Sequence, residues 1–493
     1  MQINTHTIEE KMIRIINLMP HIKINGEKLI DRFEYEDVNL WWFLRPAIYP
    51  KVLMSIQNKK TNLFKKIGSI LYYDYKSIVR KFLWKLYSDT SPGGEILIIS
   101  ATRYWQKTIH HAQLKEIKDD IILHPLIYHL SKIYNIILID TDYTTIGSFK
   151  TAIEKFKKNW MPIEYFYDDR INKKAEKGYK IIINRWNRLK EKKEFIKKLE
   201  YLTGTNGNTV VHNIDVIFSR AYIIPILKVI HAKKKIIDKT NPKAVLATYE
   251  TGFYAKAIIH EAKKRGIKTF GIQHGVISEV HNDYIFKGNN IIPDYTFVYG
   301  KKEILTKKSS YPVNSVVVAG VPRYDIYAKI KKKDLGYILV DGNAVNERNY
   351  EVLKKFDNNI VVKLHPSQRG RFKFKFKNVL KDENIIKLLV NSSALFTSYS
   401  TLALEAIAIE KPTIIDVFSS KKYKLVPYYN EKVFFKAKSK EELEKLFSAT
   451  LKKNLYVDKL KREEFLNKYL ANFGKSTEFI VNFMMSKINN KYQ

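Results

Sequence analysis

The chain has 493 residues, of which 87 are Lys or Arg and 50 are Asp or Glu, so its formal net charge is +37. With 45% hydrophobic residues, 19 glycines and 14 prolines, it is neither disordered nor collagen-like, and its length predicts two or three domains. Cysteine is absent, which excludes disulfide scaffolds, thiolate zinc sites, iron–sulfur clusters and cysteine nucleophiles.

The positive charge favours a polyanionic partner, such as nucleic acid, an anionic bilayer or a phosphate-bearing substrate. The alternative is compositional, because AT-rich coding produces a chain rich in Ile, Lys, Asn and Tyr. No zinc finger, aromatic RNA-binding strand motif or recognition helix is present, so no specific nucleic-acid partner is expected. Residues 1–26 lack the continuous apolar stretch of a signal peptide, which predicts a cytoplasmic protein, at most peripheral on the inner face of the membrane.

Residues 63–86 carry the clearest basic amphipathic pattern. Apolar residues recur with a period of about 3.6, and six Lys or Arg accompany one acid, Asp74. With Trp84 at its edge, such a helix is predicted to lie on an anionic membrane surface. The alternative is an ordinary helix whose apolar face packs on the core.

In chain order, the first part is mainly helical and ends at the turn signal Ser91-Pro92-Gly93-Gly94. The next predicted elements are strands at 95–100 and 133–140, charged helices over 150–200, an exposed loop at 203–208 and a long helix at about 213–239.

From residue 244, short Val/Ile-rich strands alternate with helices, which predicts parallel sheets covered by helices on both faces. The predicted strands are 244–248, 268–273, 296–300 and 315–320, then, after a polar linker at 324–333, 336–342, 359–366, 394–398 and 412–418. The clearest helices are 253–266, 401–410 and 440–453.

The predicted fold class is therefore α/β, with two Rossmann-like domains facing a cleft and a mainly helical N-terminal extension. The predicted boundaries are 1–92 for the extension, 93–325 for an acceptor domain with a charged helical insertion at about 150–240, 335–475 for a donor-nucleotide domain, and 476–493 for a terminal helix. In open parallel sheets, ligands bind beyond the carboxyl ends of the strands, so site residues are expected there.

Two predicted strands of the first domain end in polar residues. FGIQHGV (270–276) brings Gln273, His274 and Gly275 to a strand end, where the glycine permits a tight turn and the imidazole could bind phosphate or act as a base. The alternative is a buried histidine satisfied by the backbone. ATYETG (247–252) places Glu250 where a carboxylate could act as a general base, or simply as an exposed loop acid.

In the second domain, VVKLHPS (361–367) has Lys363 inside a strand and His365 at its end, where Pro366 biases His365 to extended geometry. A single His-Pro pair is common, and the strand context is what favours this one.

FTSYSTLALEAIAIEKP (396–412) runs from a strand through Ser398, Ser400 and Thr401 directly into a helix. Free N–H groups and small hydroxyls suit a phosphate, and Glu405, one turn later, could reach a ribose diol. Simple N-capping by Ser400 or Thr401 is the alternative and is compatible with phosphate binding.

Asp140 and Asp142 follow the strand at 133–140, and an Asp-x-Asp pair at a strand end can hold a divalent metal, although so short a motif also arises by chance. GxGxxG, GxxxxGK[ST], GxSxG and HExxH motifs are absent, so hydride-transfer cofactors and P-loop chemistry are not expected. The predicted site accordingly has no essential cofactor.

Taken in order, GIKTFGIQHGVI, IPDYTFVYGKKEIL, VVVAGVPRYD, VVKLHP and SYSTLALEAIAIEKPTI resemble bacterial and archaeal surface-polysaccharide transferases. The resemblance is to the group with capsule Kdo transferases, CDP-glycerol glycerophosphotransferases and polysialyltransferases. It spans roughly residues 244–420 and does not extend to residues 1–240.

The resemblance implies a GT-B fold, no essential metal, and a CMP-, CDP-, UDP- or GDP-linked donor held mainly by the second domain. It implies that His365 and the 398–401 turn hold the donor phosphates, that Glu405 faces the nucleoside, and that His274 lies in the cleft. Glu250 takes the place of the base carboxylate, although the acidic pair of sialyltransferases is here Glu-Thr-Gly. The remaining donor-binding residues are Lys363, Gln273, Gly275 and, at the hinge, Arg323.

We therefore expect a glycosyltransferase that moves a sugar, or a polyol phosphate, from a nucleotide donor to a surface-polysaccharide, glycan or lipid-linked acceptor. The alternatives are a sugar-nucleotide epimerase of the same architecture and a non-enzymatic basic protein that binds polyanions. The transferase hypothesis requires that His274, His365 and residues 398–401 lie on the walls of a single crevice between two sheets.

Overall fold

The computed structural model describes residues 5–59, 65–88, 92–101, 104–141, 149–278, 281–301, 303–365, 368, 370–419, 426 and 428–489. The N-terminal region contains helices α1 (Thr5–Leu18), α2 (Trp41–Ile56) and α3 (Lys65–Tyr87). Two hairpins lie between α1 and α2: β1 (Lys23–Ile24) with β2 (Glu27–Lys28), and β3 (Glu34–Tyr35) with β4 (Val38–Asn39). Strands of two residues are too short to show an alternating pattern, so the sequence did not predict them.

A seven-stranded parallel sheet forms the first domain, in the order β13-β12-β11-β10-β5-β8-β9. Its strands are β5 (Ile96–Ser100), β8 (Ile136–Asp140), β9 (Trp160–Pro162), β10 (Ala244–Thr248), β11 (Lys268–Ile272), β12 (Tyr295–Val298) and β13 (Val316–Val318). The separate hairpin β6 (Trp105–Ile109) and β7 (Glu116–Asp120) extends from the sheet between β5 and β8. The helices are α4 (His124–Leu130), α5 (Phe149–Phe156), α6 (Asp169–Lys190), α7 (Lys193–Thr203), α8 (Gly207–Asp215), α9 (Arg220–Thr240), α10 (Phe253–Lys264) and α11 (Glu303–Lys308).

The long helix predicted at about 213–239 is broken, because Ser219 has the extended conformation that precedes the first turn of α9. The loop predicted at 203–208 is short: Gly204 ends α7 with φ 66°, and the Asn206 side chain caps α8 by accepting from the Thr209 N–H. Among the described residues no single helix is long and apolar enough to cross a bilayer. One bent pair, Gly207–Phe218 and Arg220–Thr240, meets that length and composition only when taken together.

A six-stranded parallel sheet forms the second domain, in the order β16-β15-β14-β17-β18-β19. Its strands are β14 (Ile338–Asp341), β15 (Ile360–Lys363), β16 (Val379–Leu380), β17 (Ala394–Thr397), β18 (Thr413–Asp416) and β19 (Phe435–Ala437). The later helices are α12 (Tyr350–Lys355), α13 (Ile385–Asn391), α14 (Leu402–Ala408), α15 (Lys440–Leu451), α16 (Lys459–Tyr469) and α17 (Ser476–Asn489).

Each sheet is covered on both faces by an apolar core, so the predicted α/β architecture with two Rossmann-like sheets is confirmed. The final helix does not stay with the second sheet: Ile480 and Met484 of α17 are buried against the first one. Asp325, in the segment between the sheets, accepts hydrogen bonds from the first backbone N–H groups of α17. The C-terminus therefore ties the two domains together.

Helix α3 lies where the basic amphipathic helix was predicted, but its buried face and its exposed face each mix basic and apolar side chains. Lys76, Arg80 and Trp84 are buried, whereas Ile78 and Phe82 are exposed. Trp84 and Leu83 pack on the hydrophobic core, as the alternative of a core-packed helix predicted, whereas Ile78 and Phe82 do not.

The metal site considered at Asp140 is contradicted by the same packing. Asp140 is completely buried, its carboxylate accepts from Arg80 Nη2 at 2.9 Å, and it also pairs with Lys155. These two cations neutralise the carboxylate and leave no open coordination position. No group of three or more His, Asp or Glu in the described residues could hold a metal ion, and Asp142 lies outside those residues.

Asp140→Asn removes the carboxylate that the buried Arg80 and Lys155 share, although Arg80 keeps its ion pair with Glu164 at 3.3 Å, so we expect the free energy of unfolding to fall by about 3–5 kcal/mol. Urea denaturation measures this loss. Asp238→Asn is the matched control, because it breaks an exposed pair with Arg265 and should cost less than about 1 kcal/mol. Equal losses in the two variants would contradict the account of Asp140.

Candidate functional site

Both sheets reverse their strand order at one point. In the first sheet the chain runs from β5 to β8 and β9 on one side and then continues with β10 on the other side of β5. In the second sheet it runs from β14 to β15 and β16 on one side and then continues with β17 on the other side of β14. Such a reversal opens a crevice at the carboxyl ends of the two central strands, where ligands of open α/β sheets bind. The residues that end these four strands are therefore the first candidates for function.

A cavity of about 240 Å³ lies at the reversal point of the second sheet. Its second-domain wall includes Asp341 at the end of β14, Lys363 and His365 at the end of β15, and Ser400 and Thr401 after β17. The opposite wall comes from the first domain, from Gln106, Lys107 and Thr108 of the β6–β7 hairpin. The cavity is thus a crevice between the two domains.

Asp341 is the residue at this reversal point that the sequence analysis missed. It is 8% exposed, and it accepts from Thr397 Oγ1 on the neighbouring strand and from the Asn343 N–H, each at 3.0 Å. Burial raises the pKa of Asp341, which these hydrogen bonds and the nearby His365 partly offset. The signal was present in the sequence, because Asp341 ends a predicted strand just as His365 does.

Lys363 and His365 line the cavity as predicted from their strand. Lys363 Nζ donates to the carbonyls of Leu364 at 3.2 Å and Lys381 at 2.9 Å, which holds the ammonium at the rim. The His365 side chain is exposed, and its backbone N–H donates to Gln368 Oε1 at 3.2 Å. Two basic side chains therefore stand side by side at one end of the crevice.

Of the three predicted hydroxyl groups, two line the cavity and one does not. Ser400 Oγ accepts from the Leu402 N–H at 3.2 Å, so the capping alternative holds for Ser400. Thr401 makes no side-chain cap. Ser398 is 1% exposed and lies outside the cavity lining, so its predicted contact with donor phosphate is not available in this structure.

Glu405 and Arg323 both line the cavity, but they bind each other. Arg323 Nη2 donates to Glu405 Oε1 at 2.6 Å, and the Tyr327 hydroxyl donates to the other carboxylate oxygen. Arg323 also contacts the Tyr324 hydroxyl at 2.7 Å. Glu405 therefore anchors the inter-domain segment 322–328 to α14, and both its oxygens already have donors where a ribose contact was predicted.

The sequence analysis did not predict the residues of the first-domain wall. Gln106, Lys107 and Thr108 belong to the β6–β7 hairpin, which reaches the second domain where Lys387 of α13 pairs with Glu116 at 3.1 Å. Neither strand of the hairpin alternates regularly between polar and apolar residues, so sequence periodicity could not detect it.

His274 lies beyond β11, next to the reversal point of the first sheet, and it does not line the 240 Å³ cavity. Its Nδ1 is 3.1 Å from the Tyr284 hydroxyl, and its ring lies 5.1 Å, centre to centre, from that of Tyr249. Tyr249 has a left-handed backbone with φ 55°, which is costly for a tyrosine and is typical of functional positions. The single crevice required by the transferase hypothesis is therefore present for His365 and the 400–401 turn but not for His274.

Gln273 and Gly275, predicted to contact the donor, do not line the 240 Å³ cavity and bond within their own turn. Gln273 Nε2 donates to the Gly275 carbonyl at 2.6 Å, and Gln273 Oε1 accepts from the Tyr299 N–H at 2.8 Å. These bonds fix the turn that carries His274. The next residue, Val276, packs against the core of the second domain, so the turn reaches the domain interface.

Glu250 follows β10 and is only 1% exposed, so it is neither the exposed loop acid nor the cleft-edge carboxylate predicted. Neither of its carboxyl oxygens makes a hydrogen bond of normal geometry within the described residues. Burial raises the pKa of Glu250 to about 8, an effect that the Tyr284 hydroxyl partly offsets. Nearby, burial lowers the pKa of Lys256 to about 7 while its ammonium donates to the Trp42 carbonyl at 2.6 Å.

No protein-family model matches the sequence, and no curated protein is significantly similar to it. Several solved structures match at low identity. A Listeria monocytogenes protein described as a candidate UDP-N-acetylglucosamine 2-epimerase has 13% identity and a TM-score of 0.48, with 81% of this chain and 97% of that chain covered. The Neisseria meningitidis UDP-GlcNAc 2-epimerase, solved with UDP-GlcNAc, has 12% identity and a TM-score of 0.45, covering 80% of this chain and 100% of that one.

The wall teichoic acid polymerase TagF has 12% identity and a TM-score of 0.44, with 88% of this chain and 100% of that chain covered. These neighbours are GT-B enzymes, and TagF belongs to the transferase group that the motifs between residues 244 and 420 resemble. The strand order of the two parallel sheets of this chain carries the fold assignment.

The raised pKa of Glu250 predicts how stability depends on pH. From about pH 5 to pH 8 the folded state holds a proton that the unfolded chain releases, so this group makes the protein less stable as pH rises through that range, by about 3 kcal/mol. Glu250→Gln stays neutral at every pH and should lose this dependence. Guanidinium denaturation at pH 5 and pH 8.5 measures it, and parallel pH curves for the two proteins would contradict the burial argument.

Proposed function

We propose that the protein transfers a sugar, or a polyol phosphate, from a nucleotide-linked donor to an acceptor hydroxyl, without an essential metal. The observation that carries this proposal is the crevice between the two domains, whose second-domain wall is built from residues that directly follow β14, β15 and β17. The combination of basic side chains and small hydroxyl groups at this place suits a diphosphate linked to a small polar group.

On the donor side, Lys363 and His365 hold the phosphate groups at the mouth of the crevice. The departing nucleotide gains negative charge as the donor bond breaks, and fixed positive groups that meet this charge are the largest source of rate acceleration in such reactions. Asp341, at the end of β14, and Thr401, after β17, orient the donor at the reversal point itself. The nucleotide leaves with the electron pair of the broken donor bond, and Lys363 and His365 partly offset the negative charge that it gains.

On the acceptor side, His274 acts as the general base. When its Nδ1–H donates to the Tyr284 oxygen, Nε2 takes the proton from the acceptor hydroxyl as that oxygen attacks the donor. Tyr284 and the buried Glu250 behind it position the ring, and Glu250 does not touch the acceptor. The turn that carries His274 contacts the second domain through Val276, which supports an acceptor site at the domain interface beside the crevice.

Thermal denaturation with CMP, CDP, UDP and GDP tests the donor side. One of these nucleotides should raise the melting temperature, because a ligand at 100 times its Kd stabilises the folded state by about 2.7 kcal/mol. Lys363→Ala and His365→Ala should lose most of that shift. His212→Ala is the control: it removes an exposed histidine of α8 that does not line the crevice, and it should keep the full melting shift. Full shifts in both site variants would contradict the donor assignment.

Steady-state transfer measurements test the acceptor side. We expect His274→Ala to lower the transfer rate by about 10²–10⁴ while leaving the nucleotide-induced melting shift intact. We expect His365→Ala to lower the rate by about 10²–10³. Near-normal turnover in both variants would refute the site, and donor conversion without any acceptor would favour the epimerase alternative.

A further inference from the structure

Helix α3 presents an exposed apolar ridge, formed by Ile78, Phe82, Leu86 and Tyr87. Their exposed fractions are 70%, 60%, 61% and 43%. Residues 78, 82 and 86 are spaced by four, so they lie above one another on one face of the helix. We call this face the α3 ridge.

The orientation of α3 is fixed from its other side. Arg80 is 1% exposed and forms ion pairs with Asp140 at 2.9 Å and Glu164 at 3.3 Å. Trp84 is 2% exposed, and its ring packs edge-on against Phe156 with 5.7 Å between the centroids. Turning the ridge inward would break both buried ion pairs of Arg80, so the apolar side chains stay in solvent.

Basic side chains border the ridge. Lys85 is exposed between Phe82 and Leu86 along the helix, and Lys157, which directly follows α5, is exposed with its ammonium 5.7 Å from the centre of the Tyr87 ring. Helix α5, which packs on α3, adds Phe149, 37% exposed, and the exposed Lys150. A row of apolar side chains flanked by lysines is the pattern of a helix that lies in the interface of an anionic bilayer.

We propose that the α3 ridge docks the protein on a membrane surface that contains anionic lipids, with Phe82 and Leu86 inserted among the lipids and Lys85 and Lys157 at the phosphate groups. A second copy of the chain is a poorer occupant. A symmetric contact would bring two Lys85 side chains and two chains of net charge +37 together. Four partly exposed side chains also supply only part of the roughly 800 Å² per partner that a stable interface buries. The proposal does not depend on the catalytic one.

Flotation with vesicles of phosphatidylcholine, with and without phosphatidylglycerol, tests the docking surface. The full chain should float with the vesicles that contain phosphatidylglycerol, and raised salt should release it. Leu86→Glu and Phe82→Glu should each lower the bound fraction at least tenfold. Leu460→Glu is the matched control: Leu460 is 73% exposed at the start of α16, the charge change is the same, and binding should not change.

Lys85→Glu combined with Lys157→Glu tests the basic border. This variant should bind phosphatidylglycerol vesicles several-fold more weakly and lose the salt dependence. Melting temperatures equal to wild type establish that each variant is folded. The proposal is overturned if the wild type does not float, if Leu86→Glu binds as the wild type does, or if Leu86→Glu and Leu460→Glu weaken binding equally. It is also overturned if the ridge variants change only a monomer–dimer equilibrium in sedimentation.

Discussion

The crevice between the two domains depends on the Glu405 carboxylate. One of its oxygens accepts from Arg323 and the other from Tyr327, and both donors lie on the segment that connects the two sheets. Glu405 itself lies on α14, directly after the turn that carries Ser400 and Thr401. These hydrogen bonds hold the second-domain wall of the crevice against the inter-domain segment. They therefore fix the shape of the candidate nucleotide site, although Glu405 itself has no free oxygen with which to bind the nucleotide.

The ionisable groups around the two reversal points are of two kinds: those that a ligand can reach and those that are buried. Lys363 and His365 stand at the open end of the crevice, where a ligand can reach them. Glu250 and Lys256 are buried, and burial brings the pKa of each close to 7 or 8. A group of this second kind cannot bind a charged substrate directly, but it can hold an accessible neighbouring side chain in position. His274 has that neighbouring position, through Tyr284.

The positive charge of the chain is likewise divided between buried and exposed side chains. Part of it is internal, since Arg80 and Lys155 neutralise the buried Asp140 and do not contribute to an outer basic surface. The internal pairing also determines which face of α3 meets solvent. Helix α3 therefore contributes the buried Arg80 as well as Trp84 to the core and presents Ile78, Phe82 and Leu86 to solvent, whereas a surface helix usually turns its apolar residues inward.

Much of the fold could be predicted from local pattern alone. Strands such as β10 and β14 are short, apolar and bounded by turn signals. Parallel pairing of such strands requires helical crossovers, so the sequence predicted two doubly wound sheets. The same logic located Lys363 and His365, because a residue at the end of a buried parallel strand lies at the ligand-binding edge whatever its neighbours are.

Tertiary structure decided the features that depend on contacts between distant segments. The pairing of Glu405 with Arg323 joins residues 82 positions apart, and that of Arg80 with Asp140 joins residues 60 apart. Periodicity shows that a helix has two faces, but it does not show which face meets a buried carboxylate; this is why the direction of α3 and the burial of Glu250 were not predictable. The sequence by itself thus determined the two sheets and the strand ends that carry polar residues. Only the folded chain determined which of those residues face a crevice and which are enclosed, because long-range ion pairs and burial set that choice.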